Sequence, residues 1–386
     1  MKKIVNVYWI VRNRIISLYL FLLNLVCKGL KYLCLKAEKK YSLRSRKQKT
    51  YKNIYKLKGR KKLSKKQQRD ILAFYKRLVG QRVSLHSHEY FYSRTGVFSL
   101  NYIPGNFYHV ELVPRANISS YNVLGDDKNL DDLLFPGENI VHSILKNMNG
   151  YYYYKGRPVF ETEAISLCQN MDYVIIKPSV ASKGRGVQLF TVKDGITDIN
   201  GLTIEQLFKQ YKSNFIIQER VVQHKDMAAL NSTSLNTIRV LSYRSGMEVL
   251  IIYSVVRIGR QGQIIDNQCA GGISTSVSKE GTLGEFAYGG YTEDNIVYTD
   301  SGVELKGYQL PSYDKVLEMV KRLHLKLPYF NIVGWDVAIQ ENGEPILIEF
   351  NTNPGLSQSA FKSGLGEYTE RIIRELWPRR NTRFPV

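Results

Sequence analysis

The chain has 386 residues, 44% of them hydrophobic, which is enough for a sizeable core and for two or three domains. Its net charge of +21 excludes a body that is basic throughout: residues 1–70 hold 22 Lys/Arg against two acids, Glu38 and Asp70, while the other 316 residues balance to +1. Four cysteines (Cys27, Cys34, Cys168, Cys269) show no metal-ligand spacing and no disulfide framework, so each reads as a small apolar side chain and a reducing compartment is the default.

The first predicted element is an apolar helix near the N-terminus. Its uncharged run, Ile15 to Cys27, has 13 residues, about 20 Å as a helix, against the roughly 20 apolar residues of a spanning helix. Arg12, Arg14, Lys28 and Lys31 flank the run and can snorkel. No small-x-small cleavage site follows, which disfavours a secretory signal. A polybasic stretch comes next, and positive flanks stay cytoplasmic. These features predict a basic amphipathic N-terminal helix that acts as a monotopic anchor. Residues 1–66 would meet an anionic membrane surface, leaving the protein cytoplasmic and peripheral on the inner face of the cell membrane. Two other readings compete. One is a basic arm on nucleic acid, although no nucleic-acid-binding motif accompanies the charge. The other is a basic tail beside a helix buried in the protein.

Residues 71–125 mix short apolar runs with Gly and Pro, as in VFSLNYIPGNFYHVELVPRAN, which predicts the strands and loops of a small N-terminal α/β domain. DDKNLDDLLF predicts a helix starting near Asp127, with acids in its first turn. YVIIKP, VQLFTV, FIIQERV, TIRVLSYR and EVLIIYSVVRI are β-rich runs separated by turn residues. GLTIEQLFKQYK and YDKVLEMVKRLHLKL have helical periodicity. VGWDVAIQ and ILIEFN read as a hairpin joined around Asn342-Gly343. The irregular alternation predicts an α+β core with largely antiparallel sheets. Composition and pattern shifts divide the chain at 1–70, 71–125, 126–225 and 226–380.

Within that hairpin, Asp336 lies on one strand, and Glu349 and Asn351 lie two residues apart on the next, on one face. Buried carboxylates need partners, and carboxylate plus amide oxygens suit a hard cation such as Mg²⁺. Solvated acids on an edge strand are the plain alternative. Lys177 ends a run that otherwise reads as a buried strand, and a lysine there calls for an anion. Ser182-Lys183-Gly184-Arg185-Gly186 follows, a loop whose backbone N–H groups can wrap phosphate oxygens; a simple hairpin turn is the alternative. The loop leads into a strand, which departs from the P-loop and the dinucleotide fold, both of which lead into a helix. Arg239 and Arg257 lie on two further strands, and Asn267 precedes Gly271-Gly272. An Arg pair with an amide suits a phosphoryl group and a carboxylate, and surface arginines are the alternative. His86, His88 and the Tyr151–Tyr154 run read as packing or sheet residues.

Taken in order over residues 102–360, these features resemble the ATP-grasp superfamily, and more narrowly the sugar-transfer-associated ATP-grasp proteins of polysaccharide and capsule biosynthesis. GWDVAI and IEFNTNPG are the most specific parts. The resemblance implies an ATP-grasp fold, two α+β subdomains gripping ATP, with the phosphate lid and hinge in 126–225 and the Mg²⁺ site in 226–380. Lys128 in GDDKN resembles the first phosphate lysine and Lys177 the second. The loop with Ser182, Lys183, Gly184 and Gly186 resembles the lid. FIIQERVV resembles the hinge that reads adenine, through Gln218, Glu219, Arg220 and Val221. Asp226 stands where a ribose-binding acid often lies. Arg239, Arg257 and Asn267 would bind the transferred phosphoryl group, and Asp336, Glu349 and Asn351 resemble the Mg²⁺ ligands. One departure stands out: several amide-forming relatives place an Arg two residues before the metal Asp, where this chain has Gly334.

The implied activity is ATP- and Mg²⁺-dependent joining of a carboxylate to an amine, with an amino acid and a sugar of a cell-surface polysaccharide precursor as substrates. A kinase of the same fold and a non-catalytic, membrane-associated ATP-binding scaffold are the competing functions.

Overall fold

Two seven-stranded antiparallel sheets account for the β-rich runs in the computed structural model, which describes residues 2–57, 59–181, 184–260, 262, 271–290 and 293–384. The first sheet is built from β1 (Ser143–Met148), β2 (Tyr151–Tyr154), β3 (Arg157–Val159), β4 (Met171–Pro178), β5 (Gln188–Lys193), β6 (Ile196–Thr197) and β7 (Phe215–Glu219). Its order is β3-β2-β1-β7-β4-β5-β6, so β7 returns to the centre between β1 and β4. The helix Ile204–Tyr211 starts with a capping box in which Thr203 and Gln206 satisfy each other's backbone N–H groups. Its Leu207 and Phe208 join Leu145, Ile176, Phe190 and Phe215 in the core under this sheet.

The second sheet contains β8 (Thr237–Ser245), β9 (Glu248–Ile258), β10 (Ile273–Val277), β11 (Leu283–Gly289), β12 (Glu293–Ile296), β13 (Ile332–Ile339) and β14 (Pro345–Asn351), in the order β12-β11-β10-β9-β8-β13-β14. Period-2 alternation covers both faces. Ile238, Val240, Val333, Trp335 and Val337 pack against the helix Tyr313–Leu325, through Val316, Val320 and Leu323. Leu241, Tyr243, Val255 and Ile332 face the other way. The hairpin β13–β14 closes through Gly343 N–H donating to Gln340 O at 2.8 Å, and Gly343 has φ +81°, a conformation glycine adopts without strain.

Residues 71–125 depart from the expected strands and loops. They lie among helices: Lys65–Val79, His86–Thr95 and the helical turns between Gly105 and Ala116; among the described residues no strand precedes β1. The cause is tertiary packing. Ile71, Tyr75, Leu78 and Val79 fall on one helical face, and with Phe107, Tyr108, Leu112 and the C-terminal helix Thr369–Leu376 they cover the second face of the second sheet. The aromatic and β-branched run around Tyr108 therefore forms helical turns on a sheet surface, and Pro114 lies just after the π turn Tyr108–Leu112. The helix expected from Asp127 is a 3₁₀ turn, Lys128–Leu130, followed by one α turn, Asp131–Leu134.

The N-terminal helix runs from Lys2 to Ile54, about 80 Å at the standard rise. Apolar and basic residues segregate along its axis: Ile15, Leu18, Phe21, Leu22, Leu25, Val26, Leu30 and Leu33 are all exposed, while its C-terminal end docks on the body. Lys39 pairs with Glu111 at 3.0 Å, and Ile54 is fully buried. Among the described residues this is one helix long and apolar enough to cross a membrane, and none of its apolar window is buried.

Candidate active site

A cleft of about 350 Å³ is lined by residues from both sheets. Lys177 and Ile175 enter it from β4, Leu189 from β5, Arg257 from β9, Asp336 from β13, and Ile348 and Glu349 from β14. Residues 218–223 cross from the end of β7 to the second sheet, where Glu341 N–H donates to Val222 O at 3.0 Å and His224 N–H to Ile339 O at 2.8 Å. This crossing segment lines the cleft with Gln218, Glu219, Arg220 and Val221, the four expected hinge residues. Gln218 is buried and donates to Val141 O at 3.3 Å.

A β-bulge aims Glu349. In the ladder Asp336 faces Glu349, but the next pair is Val337 with Leu347, so Ile348 is the extra residue. Leu347 and Phe350 turn into the core, and Ile348 and Glu349 turn into the cleft. Simple alternation through Leu347 would have sent Glu349 into apolar packing. Glu349 lies 3.5 Å from Lys128 Nζ and accepts from Asn351 Nδ2 at 3.4 Å.

Asp336 is almost fully buried and held by arginines. Arg239, its ladder partner on β8, donates Nε and a terminal nitrogen to the two carboxylate oxygens at 2.5 Å each, and Arg257 approaches at 3.2 Å. Burial pushes the Asp336 carboxyl up, but the two guanidinium groups outweigh burial and hold it at about 2. Gly334 completes this arrangement: a Cβ there would lie 2.7 Å from Pro354 Cβ and 3.4 Å from a terminal nitrogen of Arg239. The strand has no room for an arginine two residues before Asp336, and the arginines reach the carboxylate from the neighbouring strands instead.

Lys177 is the deepest cation on the opposite wall. Burial, then the charge of Lys128, pushes its amine down to about 8, against the pull of Glu349 and Asp131. Lys128 donates to Ala181 O at 3.0 Å, which ties the start of the glycine loop to the 3₁₀ turn. Gly184 and Arg185 line the cleft. Gly186, at φ +69°, packs where a Cβ would meet the Pro178 ring at 3.0 Å. Ser182, Lys183 and Asn267 lie outside the described residues. Asp226 sits half-exposed in the first turn of the helix Lys225–Leu230, 3.6 Å from His224 Nδ1. It is not among the cleft-lining residues; Ala228, Ser232, Thr233 and Ser234 line that part.

Asp131 was not singled out from the sequence, where it read as a first-turn acid. Burial raises its carboxyl to about 7, although Lys177 and Lys128 pull it down. A folded value above the unfolded one, about 3.9, means that ionisation costs folding stability, and the cost grows as pH rises from about 4 to about 7. Asp131→Asn is therefore expected to melt like the parent near pH 4 and progressively higher than the parent up to pH 7.5. Equal melting curves at pH 7.5 would show that Asp131 ionises without cost.

The site thus sets lysines on one wall against two facing carboxylates and Arg257 on the other, with apolar residues between; Arg239 and Asn351 are not among the lining residues and reach the site through Asp336 and Glu349. Among the described residues no group of three or more His, Cys, Asp or Glu side chains is placed to hold a metal. The sequence profile of the sugar-transfer-associated ATP-grasp family matches residues 110–373, more than half of the chain and the whole of this constellation. The chain belongs to this family. The two-sheet architecture around the cleft is accordingly an ATP-grasp fold. Solved structures similar to this ATP-grasp chain include an L-amino acid ligase from Bacillus licheniformis, at 8% identity over 65% of this chain and 48% of that one, with a TM-score of 0.37. Others are an N5-carboxyaminoimidazole ribonucleotide synthetase from Thermotoga maritima (14%, 69% and 53%, 0.38) and a D-alanine–D-alanine ligase from Bacillus anthracis (15%, 66% and 68%, 0.36). The chain spans about half the length of the first two. Likeness this distant says nothing of substrate. No curated protein matches the chain.

Proposed function

We propose that the chain is an ATP- and Mg²⁺-dependent carboxylate–amine ligase, working on a precursor of a cell-surface polysaccharide with an amino acid and a sugar as its substrates. The observation that carries this reading is the facing of Lys128 and Lys177 against Asp336 and Glu349 across one cleft, with Arg239 and Arg257 beside them. Adenine sits among Val141, Ile175, Leu189 and Ile348 and is read by the backbone around Glu219 and Val221. Lys128, Lys177 and the glycine loop hold the phosphates.

The donor set fits Mg²⁺. Glu349 lines the cleft, Asp336 faces it across the ladder, and Asn351 stands beside Glu349 with its amide nitrogen on the carboxylate. Two carboxylates and an amide are few for an all-protein cage but suit an ion that keeps waters and phosphate oxygens in its shell. When bound, Mg²⁺ would neutralise phosphate charge. Arg239 and Arg257 then orient the transferred group. A carboxylate oxygen attacks the γ-phosphorus, the bond to the ADP oxygen breaks, and an acyl phosphate forms. The amine displaces phosphate from it and its proton leaves to solvent. Gly184 and Arg185, which line the cleft, shield the acyl phosphate from water.

The absence of space for a side chain at Gly334 favours attention to a second reading, transfer of the γ-phosphoryl group to a hydroxyl. Full-length protein tested for ADP release against a panel of amino acids and sugar acids, with products read by mass, separates the two. Ligation requires both a carboxylate and an amine, and the product mass shows loss of water. A stable phosphorylated product formed without any amine would replace the ligase by a kinase. ATP binding without ADP release from any acceptor would favour the scaffold.

The exposed apolar segment of the N-terminal helix provides the membrane anchor in this reading. Removing residues 1–66 would also remove Ile54 and Leu63 from the core, so the informative cut is residues 1–34. That variant is expected to stay folded and to leave the membrane fraction for the soluble one. Continued co-flotation with phosphatidylglycerol vesicles would assign membrane binding to another surface.

A further inference from the structure

A second cavity, about 330 Å³, lies beside the cleft. The two adjoin through the arginine row: Ser274, which lines the second, faces Arg257, which lines the first, across adjacent strands. Its wall combines Arg46 and Lys49 from the docked end of the N-terminal helix, Tyr108 and His109 from the helical turns, and Ser357 and Ser359 from the cap and first turn of the short helix Gln358–Phe361. None of its described lining residues is an acid. Arg94 also lines it but is committed to Asp294 at 2.6 Å.

Two observations point to an anion. Among the described residues no carboxylate pairs with Arg46, although its side chain is partly buried; burial, then the nearby charge of Arg383, lowers its guanidinium. Tyr108, which lines the cavity, is 1% exposed, and its hydroxyl has no hydrogen-bond partner among the described residues. A buried hydroxyl without a partner is costly, and a cation without a counter-charge is an open position for one. The volume is that of a small-ligand site. Arg46 follows Leu33, an exposed apolar residue of the anchor segment, by 13 residues, about 20 Å along one uninterrupted helix. The element that carries the apolar surface therefore also supplies the cations of this cavity.

We propose that this cavity binds a phosphate-bearing ligand of the diphosphate class, presented from the side where the apolar helix segment projects, with Arg46 and Lys49 neutralising the anion and Tyr108 donating to it. It extends the ligase reading, in which it is the site of the second substrate, and it rests on that reading only for the ligand's role.

The test uses the full chain in phosphatidylcholine vesicles, its nucleotide cleft filled with a non-hydrolysable ATP analogue, and inorganic diphosphate as the probe, followed by calorimetry. The double variant R46E/K49E is expected to lose at least about tenfold in diphosphate affinity, as for loss of charge-assisted contacts, with affinity for the ATP analogue unchanged. Should the double variant melt early, Arg46→Gln, checked by its melting curve, takes its place with a smaller expected loss. Undiminished diphosphate affinity in a folded variant overturns the proposal. So does loss of diphosphate binding in Lys177→Met, because the anion would then occupy the nucleotide cleft. Failure of the wild-type chain to bind the ATP analogue sinks the ligase reading and leaves this site standing. Phosphatidylglycerol vesicles separate the sources of the phosphate. Displacement of the probe from the wild-type chain assigns the site to a lipid headgroup, and lack of displacement assigns it to a diphosphate-bearing substrate.

Discussion

Glu349→Ala is expected to lower Mg²⁺-dependent ADP release by a factor on the order of 100 to 1,000, the range found when one group that stabilises developing charge is removed. Stability should change little. The Glu349 carboxylate is partly exposed, and its contacts, Lys128 at 3.5 Å and Asn351 at 3.4 Å, are long. The effect on chemistry is large because the bulge in β14 places this carboxylate, and not a neighbour, opposite Asp336 in the cleft. Glu349→Gln keeps the shape and removes the charge. It is expected to lose nearly as much activity and to require more Mg²⁺ for half-saturation. Turnover within threefold of wild type in a folded Glu349→Ala protein would take Glu349 out of the metal site. The Mg²⁺ titration of the glutamine variant distinguishes a lost ligand from a lost hydrogen bond, since only the former shifts its midpoint.

Much of the second sheet and of the cleft is legible in the sequence, because the β runs there are long and bounded by Gly and Asn turns. TIRVLSYR, EVLIIYSVVRI and VGWDVAIQ become β8, β9 and β13, and the hairpin closes around Asn342-Gly343. Lys177, Arg239, Arg257, Asp336 and Glu349 stand on strands and the hinge residues on the crossing segment, where apolar neighbours fix their direction; Lys128 joins them from the 3₁₀ turn. What the sequence did not disclose depends on tertiary context. Residues 71–125 look β-rich by composition but are helical, since the sheet face they cover accepts Tyr108 and Leu112 from a helix. Asp131 has no local mark that separates it from Asp127 or Asp132, because its environment is made by Lys177, 46 residues away in the chain. The bulge at Ile348 cannot be read from alternation, because it breaks the alternation. The cations of the second cavity come from a segment whose composition reads as a polybasic stretch facing anionic lipid.

The Arg239–Asp336 pair carries the largest expected effect on stability. Both groups are almost fully buried and joined by two hydrogen bonds, so removing Asp336 leaves Arg239 charged and without its carboxylate. Asp336→Ala is expected to lose about 3–5 kcal/mol, measured from the denaturant midpoint at constant slope. Replacing both by apolar residues, Arg239→Met with Asp336→Leu, should cost less than the single change, because the buried guanidinium goes with its carboxylate and only Arg257, on the cleft wall, loses a partner. The pH dependence has a definite sign. The folded carboxyl titrates at about 2, below its unfolded value of about 3.9, so its stabilisation is full above pH 5 and lost as pH falls from about 4 to 2. The stability gap between wild type and Asp336→Ala should therefore be constant from pH 5 to 7 and should narrow below pH 4. A gap that persisted unchanged at pH 2.5 would mean that the aspartate acts by packing and not by charge. The same pair constrains the chemistry. Asp336 can serve a metal only by sharing oxygens already bound to Arg239, so a metal draws on the same carboxylate charge and weakens this contact. In that case Mg²⁺ with nucleotide should leave Arg239 freer to meet the transferred phosphoryl group, and protection of the Arg239–Asp336 strand amides against hydrogen exchange should change on adding Mg²⁺ with nucleotide but not on adding Mg²⁺ alone.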